Sequence, residues 1–547
     1  MRVAFVICAL PLVWGGLLED LGASLGESRA QQLQRDAAAL ETELRATVKA
    51  LPKTSEGCLA SSAARYALHR LFVEKGWFVK GLQELDPSRE IGHPNMSSPV
   101  VILQDQVPAS VKSLFEQRLQ RTGLCLSDLA MLAALLEDLV HRETMQRVSA
   151  AFRAKHVPLV GKVSVEQLGT LLDYVMMSYI LEVANLEGTN LDQQDVSLYL
   201  SGKRPMEEVY PNWPKTQKFL RDIQGVVAPS RRGSLTFDEI THVVEEIHEH
   251  YGRFHDEVDC QDMKNVLFGM ERCPGRVDLS RFYAASLYEE KWQFSESVDY
   301  LRDLGALDEA RHGRVPSVVV SNYVLGASNC IGTSRFYAQC CVDPCDQLMA
   351  KLEKALAAPA APAASVAAAI KAVLPPTAPV HHTLEGIAHD GLVVIHGRLF
   401  AQWLHHAYPQ ECPMPPSMGL RLRQELPKDF TLRTGQDYVA TEKEMKRFAK
   451  KVDVKVKNDQ SDCELPWTFD EELLDESDET PVDITDFNSW IPVALASLAT
   501  SAMAVALAGY AWKRQVSAHS ARGPLLQTEA QADPAPADPA SPAPPVV

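Results

Sequence analysis

Apolar residues recur at three- and four-residue steps through most of the first 300 positions, the spacing that puts them on one face of an α-helix. Between Gln31 and Leu51 the residues Leu33, Ala37, Leu40, Leu44 and Leu51 keep that step among charged neighbours. This predicts an amphipathic helix with too few heptads for a coiled coil, so it should pack on the rest of the chain. Ala60 to Val79 and Val111 to Arg121 read the same way. Leu126 to Lys155 is longer, with Leu129, Leu132, Leu135, Leu136, Leu139 and Val148 on one side. After Trp292 the pattern turns extended and loop-like, with a short apolar run at Ser317 to Val320. The fold class expected is therefore mainly α.

Three stretches share a helix-loop-helix pattern: Gly161-Lys162-Val163 to Leu168, Gly233-Ser234-Leu235 to Ile240, and Gly275-Arg276-Val277 to Phe282. Each has a Gly, an aliphatic residue two positions later and an apolar residue seven after the Gly. That resembles the second half of an EF-hand, in which the Gly makes the turn and the aliphatic residue pairs between loops. The last two glycines are 42 residues apart, which suggests that these two copies form the pair. The calcium ligands are missing. Loop positions one, three and five would be Ala228, Ser230 and Arg232 in the middle copy and Met270, Arg272 and Pro274 in the last. At the bidentate position stand Gln167, Glu239 and Arg281, so these EF-hand-like units should lack calcium binding. Plain helical hairpins with a Gly turn account for the same residues.

The two ends change the picture. Met1-Arg2 precedes an uncharged run from Val3 to Leu18 and small residues at Gly22, Ala23 and Ser24, the form of a secretory signal peptide; a buried N-terminal helix is the competing reading. Trp490 to Trp512 is 23 residues without a charge, long enough to cross roughly 30 Å of hydrocarbon. Trp490, Tyr510 and Trp512 sit where interfacial aromatics belong, and Lys513-Arg514 follow directly. The basic flank belongs in the cytosol, which predicts a single-pass type I membrane protein with its bulk lumenal or extracellular. The boundaries that follow are a signal peptide at 1–23, an amphipathic helix at 24–54, a helical ectodomain with a cysteine cluster at 55–354, and an Ala/Pro linker at 355–380. A second small unit at 381–450, an acidic stalk at 451–489, a transmembrane helix at 490–512 and a disordered cytosolic tail at 513–547 complete the chain.

Charge supports that division. The 547 residues carry 54 Lys+Arg against 71 Asp+Glu, a net charge of -17. Twelve of the acidic residues lie between Asp459 and Asp486 with no Lys or Arg among them, leaving only -5 for the remainder. A phosphate-neutralising role is disfavoured, so nucleic acid is not an expected partner; the membrane is. Of the 11 cysteines, Cys8 lies in the signal segment and the other ten precede the span, as suits a disulfide-bearing ectodomain. Cys330, Cys340, Cys341 and Cys345 cluster, and the adjacent pair should reach separate partners, Cys412 being a candidate for one. A thiolate zinc site is the alternative. Asn95-Met96-Ser97 is a glycosylation pattern.

Candidate chemistry is sparse. Thr241 to His255 holds His242, Glu245, Glu246, His248, Glu249, His250 and His255. On a helix His242, Glu245, Glu246 and Glu249 share a face, and Glu245 with His248 makes a Glu-x-x-His step of the kind carboxylate metal sites use. A second such helix is not evident, since Glu137 and His141 are four apart. A solvated charged face explains the same residues, and its histidines would respond to pH. Further on, Phe400, Trp403, Leu404 and Tyr408 form an apolar stripe flanked by His405 and His406, with packing favoured over a ligand role. Metal candidates are thus His242, Glu245, His248 and His405. Phosphate-binding Gly loops, His-Glu-x-x-His, Gly-x-Ser-x-Gly and kinase signatures are absent, so no catalytic residue and no cofactor are assigned.

The run Leu399 to Pro413, Ser328-Asn329-Cys330, the segment from Phe336-Tyr337 to Cys345, Trp292 to Ser297 and Leu304 to Asp308 together resemble an uncharacterised family of secreted or single-span proteins from microbial algae. The likeness covers roughly Pro99 to Gln436. It implies the architecture and no activity. Three functions follow from the sequence: an interaction or receptor-like ectodomain, a lumenal metal-dependent enzyme, and a degenerate EF-hand calcium-responsive protein.

Overall fold

Amphipathic stretches that cannot bury their apolar faces alone must pair, and they do so in three adjoining cores. The computed structural model describes residues 25–79, 82, 109–181, 193–228, 233–288, 294–309, 316–334, 336–376, 380, 382–416, 425–449, 463 and 467–474. All of them belong to one compact unit, Met1–Ser477. Among the described residues no helix is long and apolar enough to cross a membrane. The expected signal peptide, Asn95, the span at 490–512 and the tail at 513–547 lie outside the described residues.

The first core is mainly helical, with a few short strands. Helix α1 (Glu27–Ala50) lays Leu33, Ala37, Leu40 and Leu44 inward, as the periodicity predicts. It joins α2 (Ser61–Glu74), which leads into strand β1 (Phe78–Val79), then α3 (Ala109–Arg121) and the long α4 (Leu126–Ala154). Strand β2 (Val163–Ser164) runs into α5 (Val165–Ile180), and after α6 (Gln193–Leu200) and α7 (Trp213–Val227) strand β3 (Ser234–Leu235) precedes α8 (Phe237–His255). β2 and β3 pair antiparallel with Val163 opposite Leu235. The first and second helix-loop-helix copies are therefore partners, and the pairing of second with third suggested by the 42-residue spacing is incorrect.

Capping chemistry explains why the copies look alike. Ser164 and Thr236 each cap the following helix by accepting the backbone N–H three residues on, from Gln167 and Glu239. Gln167 and Glu239 in turn take the backbone N–H of Ser164 and Thr236, at 3.3 and 2.9 Å. Such reciprocal boxes satisfy donors that a helix start leaves open. Glu239, the one carboxylate at the bidentate position, has its side chain turned back onto its own helix.

A single π turn (Asp256–Cys260) passes the chain to a second core, built from α9 (Gln261–Gly269), β4 (Arg276–Asp278), α10 (Leu279–Tyr288), α11 (Val298–Asp303), β5 (Leu307–Asp308), β6 (Ser317–Val319) and α12 (Val320–Val324). The third copy pairs here, β4 with β6, Val277 facing Val318. Its Gly275 is required twice over. Its φ is +73°, and a Cβ would lie 2.4 Å from the carbonyl oxygen of Pro409. Strands β7 (Ile331–Thr333) and β8 (Tyr337–Gln339) then form a sheet with β1, tying the cysteine cluster to the first core.

The third core holds α13 (Pro344–Leu356), β9 (Ala360–Pro362), α14 (Ala363–Val373), β10 (Leu392–Val394) and α15 (Arg398–Ala407). The Ala/Pro stretch expected as a linker is instead a strand and a helix with Val366 and Ile370 buried. Alanine is the best helix former, and Pro362 falls just before the helix, where it breaks nothing. Residues 381–450 likewise do not form a unit of their own. β10 and α15 complete the third core, while α16 (Pro427–Thr434) and α17 (Glu442–Ala449) return to the second.

All ten cysteines of the expected ectodomain are joined: Cys58–Cys125, Cys260–Cys341, Cys273–Cys463, Cys330–Cys340 and Cys345–Cys412. The neighbours Cys340 and Cys341 take different partners, and Cys345 takes Cys412. No sulfur of the cluster remains for a thiolate zinc site.

Candidate functional site

The histidines singled out in α8 separate according to the helix face each occupies. Ile240, Val243, Val244, Ile247 and Tyr251 point into the first core, and His248 shares their face. His248 is 2 % exposed; its Nδ1 meets the Tyr337 hydroxyl at 3.2 Å and its ring lies 5.1 Å from that of Tyr179. Burial, helped by the nearby Arg147 guanidinium, pushes its pKa down to about 3, so the imidazole is neutral. It does not join His242 and Glu245, which lie on the solvent side. Glu245 instead meets His141 of α4. Its other carboxylate oxygen is 3.9 Å from His242 Nδ1.

His405 of α15 is fully buried, and both ring nitrogens are engaged. Nδ1 donates to the Cys412 carbonyl at 2.7 Å, and Nε2 accepts from Arg276 Nη1 at 3.1 Å. A carbonyl can only accept, which fixes the proton on Nδ1. Arg276 itself reaches Asp308 at 3.2 Å. Burial and then the Arg276 charge push His405 down to about 3. The ring therefore bridges the second and third cores as a neutral hydrogen-bonding group.

Around α15 the structure also places residues 467–474, inside the segment expected to be an extended stalk. Gln402, fully buried, grips the Thr468 peptide on both sides, donating to its carbonyl at 3.0 Å and accepting its N–H at 3.3 Å. Arg398 Nη1 donates to Thr468 Oγ1 at 2.7 Å and to the Asp470 carbonyl at 3.1 Å. The Glu471 carboxylate takes the Leu399 N–H at 3.0 Å at the start of α15, where the helix dipole favours an anion. Trp467 stacks on His382 with ring centroids 4.0 Å apart and meets His406 edge-on at 5.1 Å. Part of the acidic stretch is thus a strap tied down by Cys273–Cys463, and its acidity reads as helix capping as well as solvation.

A buried polar cluster joins the first and third cores and carries no signal in the sequence. Glu353 of α13 accepts from the Tyr66 hydroxyl at 2.8 Å and from His396 Nε2 at 3.2 Å. Both side chains of the Glu353–His396 pair are 2 % exposed. One turn of helix away, Arg70 meets Asp346 at 2.7 Å. Asp343 is raised to about 8 by burial and by the neighbouring Asp346 charge. Tyr66 and Glu353 are 287 positions apart, so no local spacing could pair them.

His255, Cys260 and Cys341 bring three donor atoms within 4.8 Å of one another. Both sulfurs are spent in the Cys260–Cys341 bond, and His255 is held by Asp259 at 2.9 Å and the Asn329 carbonyl at 3.1 Å. The group is structural. No family model, no curated protein and no solved structure matches this chain.

Proposed function

We propose that this chain is a single-pass type I membrane protein whose disulfide-bonded helical ectodomain, lumenal or extracellular and glycosylated at Asn95, serves as an interaction or receptor-like protein. Pairing of all ten cysteines beyond Cys8 carries the reading. Such bonds form and persist in oxidising compartments, and here they link sequence positions 10 to 190 residues apart. The paired helix-strand-helix copies support descent from EF-hand pairs kept as scaffold, with capping side chains where ligands would stand.

The test uses microsomes from cells expressing the full chain. Added protease should remove only the short tail after the span, and endoglycosidase should shift the protected product, a shift lost in Asn95→Gln. Digestion of the whole chain with no glycan shift would overturn the reading. A second reading, a metal-dependent protein, is favoured by one observation, the approach of His141 to Glu245.

A further inference from the structure

Helices α4 and α8 pack side by side in the first core, so residues at the outer edges of their contact face one another across a solvent-exposed seam. His141 projects from α4 and meets one oxygen of the Glu245 carboxylate on α8. His242, one turn before Glu245 on the same helix, lies 3.9 Å from the other oxygen. A single carboxylate therefore has one imidazole at each oxygen, from two different helices.

We infer that His141, His242 and Glu245 form a binding site for a borderline transition-metal dication of the zinc type, clasping α4 to α8. Two imidazoles and one carboxylate are a donor set that such ions take in tetrahedral sites, with the fourth position left to water. His141 and His242 are 48 % and 62 % exposed at the side chain and Glu245 31 %, so the rings can turn inward and the open position faces solvent. The neighbouring charges are already engaged: Asp138 pairs with Arg29 and with Arg142 at 3.3 Å, Glu137 with Lys75 at 2.6 Å, and His250 faces Glu246 at 3.8 Å. Asp138 is thus not a competing ligand, and it offsets part of the cationic charge beside the seam. The ligand set differs from the Glu-x-x-His step in the sequence, because His248 faces the core while His141 supplies the second helix. Hard cations such as calcium prefer all-oxygen shells and should bind poorly.

The site rests on this seam and is independent of the topology proposed above. Full-length protein in mild detergent, stripped with a chelator, is titrated with Zn²⁺ calorimetrically and with Co²⁺ by visible absorption. One equivalent of Zn²⁺ should bind, Co²⁺ should give the bands of a four-coordinate site, and Zn²⁺ should raise Tm because it binds only the folded seam. His141→Ala and Glu245→Gln should each weaken binding at least tenfold and abolish the Tm rise. His250→Ala, on the same helix, should leave both unchanged, and the unfolding temperature of the stripped His141→Ala protein shows whether that variant is folded. Absence of saturable Zn²⁺ binding, or binding that survives both His141→Ala and Glu245→Gln, would overturn the assignment.

Discussion

At the residue scale, two of the histidines that the sequence singles out are held without charge by burial. His248 and His405 are both pushed to about 3 by burial beside an arginine, Arg147 and Arg276 respectively. The ordinary value is 6.5, so between roughly pH 6.5 and 3 the unfolded chain binds a proton at each ring that the native protein refuses. Stability therefore falls as pH falls through that window, by about 1.4 kcal/mol per pH unit for each histidine. From pH 7 to pH 5 the wild type should lose more stability than His248→Gln, the gap growing by about one histidine's share of that slope. The raised Asp343 acts in the opposite sense, losing stability as pH rises, but it is present in both proteins and cancels from the difference. An unchanged slope in His248→Gln would mean that the imidazole is already protonated in the folded state. The sequence draws attention to these histidines through their clustering and their apolar stripe. What it could not show is which face each occupies, since His248 and Glu245 are three residues apart and end on opposite sides of the core boundary.

At the element scale, the repeated Gly–x–aliphatic pattern is readable because strand, cap and helix follow one another within seven residues. Its meaning is not, because a Glu three residues after a Thr serves equally as a capping box or as a metal ligand, and only the path of the side chain decides. The cap reading predicts that Glu239→Ala lowers stability by about 0.3–1.5 kcal/mol and that calcium leaves Tm unchanged in both proteins. A calcium-dependent rise in wild type that disappears in Glu239→Ala would restore the carboxylate to a ligand role. The strap was hidden for a different reason. Charge density alone marks Asp459 to Asp486 as solvated, yet Gln402 and Arg398 hold mainly the backbone of residues 468–470, which composition does not encode. Chymotryptic cleavage after Trp467 should be slow in the wild type. In Gln402→Ala combined with Cys273→Ser and Cys463→Ser it should be at least tenfold faster. Equal rates would return the whole segment to an open stalk.

At the scale of the whole molecule, the three cores among the described residues are held together by long-range links that local sequence spacing reaches only in part. Mainly helical structure, the evenness of the cysteine count and the separation of Cys340 from Cys341 were all legible. The partners were not, because pairs such as Cys273–Cys463 span 190 positions and depend on how the cores meet. Cys345–Cys412 ties α13 to the end of α15 within the third core, Cys260–Cys341 joins the π turn to the cluster, and His405 with Arg276 and Tyr66 with Glu353 add polar contacts across the seams. A disulfide closing a loop this long contributes roughly 2–5 kcal/mol by restricting the unfolded chain. The ectodomain reading requires that the bonds exist in the cell. Differential alkylation of the full chain, quenched directly from the cells that produce it and read by mass spectrometry before and after reduction, tests this most directly. Cys58, Cys125, Cys260, Cys273, Cys330, Cys340, Cys341, Cys345, Cys412 and Cys463 should all be blocked until reduction. Alkylation of these thiols without reductant would contradict the ectodomain reading.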